Sequence, residues 1–118
     1  MLKKINDLIA AARSILITTH ENPDGDAVGS SLALAHYLTE IGKDVTVHTC
    51  DPVPELYRFL PMADAVTTFL PDRPYDLCFV LDVGEFKRAG KQILECQRVG
   101  LFINIDHHKT CENFGAVN

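Results

Sequence analysis

The sequence has no apolar run that approaches the roughly 18 residues of a membrane-spanning helix. Its first residues, MLKKINDLIAAARS, carry two lysines but lack the long apolar segment of a signal peptide. We therefore expect neither a transmembrane helix nor a signal peptide.

Closely spaced cysteine pairs are also missing. Cysteine occurs four times, and no two cysteines form a CxxC pair. This spacing disfavours a disulfide framework and a zinc knuckle. The cysteines are therefore predicted to be ordinary thiols of a cytoplasmic protein, buried as small apolar side chains. They are Cys50, Cys78, Cys96 and Cys111.

A basic excess is the third missing feature. Lys and Arg total 11, Asp and Glu total 16, and the formal net charge is -5. Duplex nucleic acid is bound through a basic surface, so we expect no long duplex DNA as a partner. A small anionic substrate stays open, because metal ions held by the protein would reverse the local field.

What is present suffices for one folded domain of 118 residues, 47% of them hydrophobic and 23% charged. Short β-branched runs alternate with segments of helical periodicity, which predicts an α/β domain with an open parallel sheet and helices on both faces. Helical periodicity also places Ile41 on an apolar face, with Gly42 as the stop. Strands are predicted over 14–19, 43–49, 75–84 and 99–106, helices over 3–12, 26–42 and 87–97, and a short helix and a short strand within 51–60 and 65–70.

Three of these strands run directly into polar side chains. The first leads into HENPDGD, the second into LDVGE and the third into IDHH. Because parallel strands share one carboxyl edge, where ligands bind, we expect these side chains to converge. The converging residues would be His20, Asp24, Asp26, Asp82, Asp106, His107 and His108.

Carboxylates and imidazoles together suit divalent ions such as Mn²⁺ and Mg²⁺. No cysteine lies in the three motifs, which disfavours structural zinc. Two ions about 4 Å apart are a standard arrangement for phosphoryl transfer. Asp82, alone at the end of the middle strand, is the natural bridge between two such ions.

The turn between the first strand and the next helix has a simpler interpretation as well. Asp24 and Asp26 taken alone could form an Asx turn and a helix N-cap. In the metal interpretation Gly25 lets the backbone pass close to the ions. Gly29 and Ser30 lie near the helix start, where free N–H groups and the helix dipole favour an anion.

Two other motifs have equally plain alternatives. His107 and His108 taken alone could be a solvated pair. Arg88 follows Asp82 and is a candidate phosphate contact, with a solvated helix start as the alternative. The occurrence of all three motifs at strand ends favours a site.

The motifs HENPDGDAVGSSLAL, LDVGE and IDHH resemble the first three motifs of the DHH phosphoesterase superfamily, which includes RecJ-like exonucleases. The similarity is strongest to the short RecJ-like proteins that act as nano-RNase and pAp phosphatase. It implies a Rossmann-like, DHH-type sheet and a site with two Mn²⁺ ions, for which Mg²⁺ or Co²⁺ could substitute.

The resemblance also implies roles for individual residues. His20 and Asp24 would hold one ion, Asp26 and His107 the other, and Asp82 would bridge them. His108 would face the substrate phosphate, with Asp106 supporting the pair. The residues assigned to catalysis are then Asp82, Asp106 and His108, and those assigned to substrate are Gly29, Ser30, Arg88 and His108.

The implied activity is hydrolysis of short oligoribonucleotides or of 3′,5′-bisphosphonucleosides (pAp) by water activated by two metal ions. Alternatives are a cyclic-dinucleotide phosphodiesterase, a single-strand DNA exonuclease, a pyrophosphatase, or a non-catalytic nucleotide- or metal-binding module. The partners would be a small nucleotide or a short single strand, with no membrane, and exposed sheet or helix surface would favour a homodimer.

The resemblance covers the first three motifs only. We expect residues 1–118 to be the N-terminal part of a DHH domain, without the fourth motif and the C-terminal DHHA1 domain. Such a fragment would be weakly active or inactive.

Overall fold

Five parallel strands form one sheet in the order β3-β2-β1-β4-β5. The computed structural model describes residues 2–71, 73–81 and 99–105. Two helices, α1 and α2, precede and follow the first strand. The elements are α1 (Leu2–Ala11), β1 (Ser14–Thr19), α2 (Gly25–Glu40), β2 (Asp44–His48), β3 (Val66–Thr67), β4 (Tyr75–Leu81) and β5 (Val99–Ile105), with short 3₁₀ turns at Glu55–Tyr57 and Ala63–Ala65.

The β1 strand lies at the centre of the sheet and is buried on both faces. Its run SILITT contains the β-branched residues that suit a covered pleated surface. Ile15, Leu16 and Ile17 are all fully buried, although successive side chains point to opposite faces. This is the burial expected of a central strand in a parallel sheet.

Both described helices pack on the sheet face that carries Ile15 and Ile17. Ile9 of α1 and Leu38 of α2 belong to the same buried cluster as those two residues and Phe79 of β4. On the opposite face, Leu16, Cys78 and Val80 form a second buried cluster with Tyr75. The predicted helix over 87–97 lies outside the described residues.

The amino ends of β1 and β4 are joined by one carboxylate. Asp76 Oδ2 accepts hydrogen bonds from the backbone N–H groups of Arg13 (2.8 Å) and Ser14 (3.2 Å). These two donors hold the pKa of Asp76 below its ordinary value. The Asp76 N–H in turn donates to Ser14 Oγ at 3.1 Å, so the register of β1 against β4 is fixed at this end.

Within the described residues the predicted order of elements is confirmed, and the end of α2 needs one correction. The helix ends at Glu40, and Ile41 is its C-cap and 46% exposed, so Ile41 does not lie on the buried face. Ile41 is exposed because its backbone is no longer helical, so its side chain does not continue the apolar face of α2. Gly42 has φ +87, which confirms it as the stop, because glycine adopts left-handed backbone without strain.

Among the described residues, no helix has both the length and the apolar character needed to cross a membrane. Of the cysteines, Cys78 is buried as predicted and Cys50 is half-buried. The other two cysteines lie outside the described ranges.

A glycine substitution tests the close approach of β5 to β4. A Cβ at Gly100 would lie 2.8 Å from the carbonyl oxygen of Asp76, and backbone cannot move aside as a flexible side chain can. We expect Gly100→Ala to lower the free energy of unfolding by about 1–3 kcal/mol. Urea unfolding at equilibrium measures this change.

The matched control is a glycine-to-alanine substitution at a position where the added Cβ has free space around it. A Cβ at Gly29 meets no atom within 4 Å, and the position is inside α2. Gly29→Ala should therefore raise the free energy of unfolding by about 0.5–1 kcal/mol. Equal effects of the two substitutions would contradict the packing described for Gly100.

Candidate metal site at the carboxyl end of the central strands

The carboxyl ends of β1 and β4 form the point where the order of strands reverses. From β1 the chain moves outward to β2 and β3, and it then returns to place β4 and β5 on the other side. Open parallel sheets bind ligands at such a point. Thr19 pairs with Leu81 there, and its hydroxyl donates to the Leu81 carbonyl oxygen at 2.7 Å. In the sequence, the next residues are His20 and Asp82.

His20 is the first residue after β1 and is 5% exposed. Its Nδ1 lies against the carbonyl oxygen of Glu21, so Nδ1 donates the hydrogen; in the neutral tautomer that makes this contact, Nε2 carries the lone pair. Nε2 lies 3.9 Å from Oδ1 of Asp24, whose side chain is exposed. The turn thus brings together an imidazole nitrogen and a carboxylate oxygen, as the sequence predicts.

Asp24 is also the N-cap of α2, so of the two carboxylates predicted as possible caps it is Asp24 that serves. Its Oδ1 accepts from the backbone N–H of Ala27 at 2.9 Å, and its φ and ψ of -92 and -174 are those of an N-cap. Asp26 lies in the first turn of the helix and is exposed. The N-cap role and the proposed metal role therefore fall on the same side chain.

The structure shows what surrounds Gly25 and corrects the reason given for Gly29 and Ser30. Gly25 leaves room for the ring of Tyr57, whose hydroxyl oxygen would lie 3.3 Å from a Cβ there. Because α2 begins at Gly25, the amides of Gly29 and Ser30 lie beyond the first turn and its unpaired N–H groups. Any role in binding substrate would thus fall to the Ser30 hydroxyl, which belongs to an exposed residue, or to the open space beside Gly29.

Sequence reasoning missed two residues that contact this turn. Asp51 Oδ2 accepts from the backbone N–H of Asn22 at 2.8 Å, and Tyr57 packs against Gly25. Asp51 follows the carboxyl end of β2 closely. The rule that identified the polar residues after the other strands would therefore have found it.

His48 ends β2 beside the site and is fully buried next to Thr18 of β1. Burial lowers the pKa of His48, and the backbone of Thr68 opposes this shift in part. The imidazole is therefore neutral at pH 7 and adds no charge beneath the site.

The remaining predicted site residues lie outside the described ranges, and their roles stay predictions. They are Asp82, Arg88, Asp106, His107 and His108. Within 2–71, 73–81 and 99–105, no three His, Cys, Asp or Glu side chains lie close enough together to hold a metal ion.

The geometry of His20 and Asp24 nevertheless fits a shared ion. Two ligand atoms that each lie about 2.1 Å from one ion are at most about 4.2 Å apart. The observed separation of 3.9 Å is within this limit. The pair combines imidazole and carboxylate, a donor set that suits Mn²⁺.

The chain matches one protein family and is similar in sequence to two curated proteins. The model of the DHH family, N-terminal domain, matches residues 14–117. The chain is 39% identical over 112 residues to the bifunctional oligoribonuclease and PAP phosphatase NrnA of Thermus thermophilus. This alignment covers 94% of this chain and 33% of that protein. It is 31% identical over 109 residues to a probable manganese-dependent inorganic pyrophosphatase of Streptococcus mutans, covering 88% of this chain and 34% of that protein.

A solved structure has the same fold. The crystal structure of an exopolyphosphatase-related protein from Bacteroides fragilis superimposes with a TM-score of 0.87 and 29% identity, over 98% of this chain and 37% of that chain. The chain therefore spans about a third of the length of these relatives. With the motifs, the parallel sheet and the family match in agreement, the chain belongs to the DHH family and corresponds to its N-terminal domain.

Proposed function

We propose that the protein acts as a metal-dependent phosphoesterase on short oligoribonucleotides and on 3′,5′-bisphosphonucleosides such as pAp. The observation that carries the proposal is the His20–Asp24 pair, 3.9 Å apart at the reversal point of a parallel sheet. Family membership and the 39% identity to an oligoribonuclease and PAP phosphatase support this choice of substrates.

The proposed cofactor is a pair of Mn²⁺ ions, with Mg²⁺ or Co²⁺ as substitutes. His20 and Asp24 would hold one ion, Asp26 and His107 the other, and Asp82 would serve both. When bound, such ions supply an activated water and neutralise charge on the attacked phosphate and the leaving oxygen.

The side chains of the turn have distinct tasks in this proposal. The Glu21 carbonyl oxygen fixes the tautomer of His20, so that Nε2 presents its lone pair. Asp24 holds the start of α2 and directs its carboxylate toward the same point. His108 and Arg88 would contact the substrate phosphate, and Asp106 would orient the neighbouring histidines.

The charge of the chain favours small substrates within this proposal. With a net charge of -5, the chain lacks the basic excess that tracks a long nucleic-acid backbone. Bound divalent ions would make the site itself locally positive. A short strand or a mononucleotide needs only this local attraction.

Hydrolysis of inorganic pyrophosphate is the second candidate. The 31% identity to a probable manganese-dependent inorganic pyrophosphatase favours it. The two reactions share attack of water on phosphorus and differ in the leaving group, which is a ribose oxygen or a phosphate.

A substrate panel with purified protein tests the proposal. The chain is incubated with Mn²⁺ and with pAp, a short RNA, a cyclic dinucleotide or pyrophosphate, and each product is quantified. Because residues 1–118 are expected to be at most weakly active, we expect slow Mn²⁺-dependent release of phosphate from pAp and slow shortening of the RNA, both abolished by chelation and by Asp82→Asn.

Three other outcomes would change the assignment. Turnover of pyrophosphate alone would support the second candidate. Cleavage of the cyclic dinucleotide alone would indicate a phosphodiesterase of that class. Binding of one compound without turnover of any, by protein loaded with Mn²⁺, would indicate a sensor and contradict the enzyme proposal.

A further inference from the structure

We propose that Asp51 is a positioning residue for the metal-binding turn. Its carboxylate fixes the backbone at Asn22 and thereby sets the separation between His20 and Asp24. This inference rests on the proposed function, because it concerns the same candidate site.

The carboxylate of Asp51 joins the segment that follows β2 to the turn that follows β1. Its Oδ2 accepts from the backbone N–H of Asn22 at 2.8 Å, although the two residues are 29 positions apart. Asn22 lies midway between His20 and Asp24. A bond to the backbone at this point restrains both candidate ligands, whereas a bond to either side chain would restrain only one.

Asp51 is itself held firmly. The hydroxyl of Thr49 donates to the carbonyl oxygen of Asp51 at 2.6 Å. The backbone N–H of Thr49 donates to the Thr67 carbonyl oxygen at 3.0 Å, which ties this segment to β3. Thr49 is buried. The backbone that carries the Asp51 carboxylate is thus anchored to the sheet.

The backbone of Asn22 has a conformation that needs such support. Its φ is +49, in the left-handed region, which asparagine adopts more often than most residues other than glycine but still uncommonly. The following residue is a proline, which further restricts the conformations open to Asn22. Strained backbone persists where surrounding contacts over-determine it, and the Asp51 bond is one such contact.

A second contact from the same connection supports the assignment. The ring of Tyr57 packs against Gly25, the residue after Asp24, with its hydroxyl oxygen 3.3 Å from the position of a Cβ. The segment after β2 therefore touches the turn at Asn22 and again at Gly25. Two contacts on either side of Asp24 fix its location relative to His20.

Three variants of the chain test the inference through Mn²⁺ affinity and amide exchange. Asp51→Ala removes the acceptor, Asp51→Asn keeps an acceptor oxygen without the charge, and Asp64→Ala removes an exposed carboxylate elsewhere in the same connection. Mn²⁺ binding is measured by calorimetry, and hydrogen exchange of the Asn22 amide is measured by NMR without metal.

We expect Asp51→Ala to weaken Mn²⁺ binding by about tenfold or more, the effect typical of residues that support a metal ligand. It should also remove the protection of the Asn22 amide. Asp51→Asn should restore most of both properties, and Asp64→Ala should change neither. Restoration by asparagine would show that the hydrogen bond, rather than the charge, is what matters.

The outcomes that overturn the inference are separable from failure of the proposed function. If Asp51→Ala binds Mn²⁺ as the wild type does while Asp24→Asn does not, Asp51 is no positioning residue and the metal site stands. If Asp51→Asn binds as weakly as Asp51→Ala, Asp51 acts through its charge and the inference is wrong. If the folded wild-type chain binds no Mn²⁺, the metal site and the inference fail together.

Discussion

Asp24→Asn is expected to leave the fold intact and to weaken Mn²⁺ binding by about 100-fold or more, a larger loss than removal of a supporting residue causes. Asparagine is as good an N-cap as aspartate, so the bond that Asp24 Oδ1 accepts from Ala27 should be retained. The negative charge beside His20 is lost. Calorimetric titration with Mn²⁺ and thermal unfolding of the same samples measure the two effects separately.

Asp24→Ala separates the two roles further. It removes the cap as well and should lower the free energy of unfolding by about 1 kcal/mol, which the asparagine variant should not. Asp64→Asn makes the same chemical change at an exposed carboxylate and serves as the control. Wild-type affinity in the asparagine variant would mean that Asp24 is a helix cap and no ligand.

The largest effect on stability is expected from Phe79→Ala. Phe79 is 1% exposed in β4 and belongs to the cluster that joins both described helices to the sheet. Its loss should lower the free energy of unfolding by about 3–5 kcal/mol through lost transfer energy and a cavity. Thermal unfolding should then shift downward by roughly 10–25 °C.

Phe59→Ala is the matched control, because the same atoms are removed from a residue that is 80% exposed. Its effect should stay within about 0.5 kcal/mol. Domains of this size are stable by only about 5–15 kcal/mol, so Phe79→Ala removes a large share. Similar unfolding temperatures for the two variants would contradict the described core.

The elements that the sequence predicts best are those whose local pattern and tertiary environment agree. The β1 strand was predicted as residues 14–19 and is observed as Ser14–Thr19, because a β-branched run between a helix and a polar turn has few alternatives. The positive φ of Gly42 is foreseeable for the same reason. Ile41 lies off the buried face because the apolar periodicity continues one residue past Glu40, to a C-cap residue whose backbone (φ -89, ψ 13) is no longer helical.

The contacts that shape the turn depend on tertiary structure and leave little trace in the sequence. Nothing in the local pattern relates Asp51 to Asn22 or Tyr57 to Gly25, because both contacts join segments that are brought together by the pairing of β2 with β1. The choice between Asp24 and Asp26 as the cap is similar, since either carboxylate satisfies the local rules.

The candidate site itself was predicted from one general rule about parallel sheets. His20 and Asp24 lie 3.9 Å apart at the reversal point, but both follow β1, so the convergence of side chains from different strands stays a prediction. The roles of Asp82 and of the histidines at 107 and 108 remain predictions, which the Mn²⁺ titrations and the substrate panel address directly.

The central place of β1 has a consequence for how the protein is made. Thr19 leaves the ribosome 62 residues before its partner Leu81, a delay of about 3–12 s at ordinary rates of synthesis. Throughout that interval β1 can pair with β2. The edge of β1 that later pairs with β4 stays uncovered, as does the apolar face that carries Leu16. Such edges pair readily with other chains. The strand that leads into the candidate metal-binding turn is thus open to mispairing on nascent polypeptides.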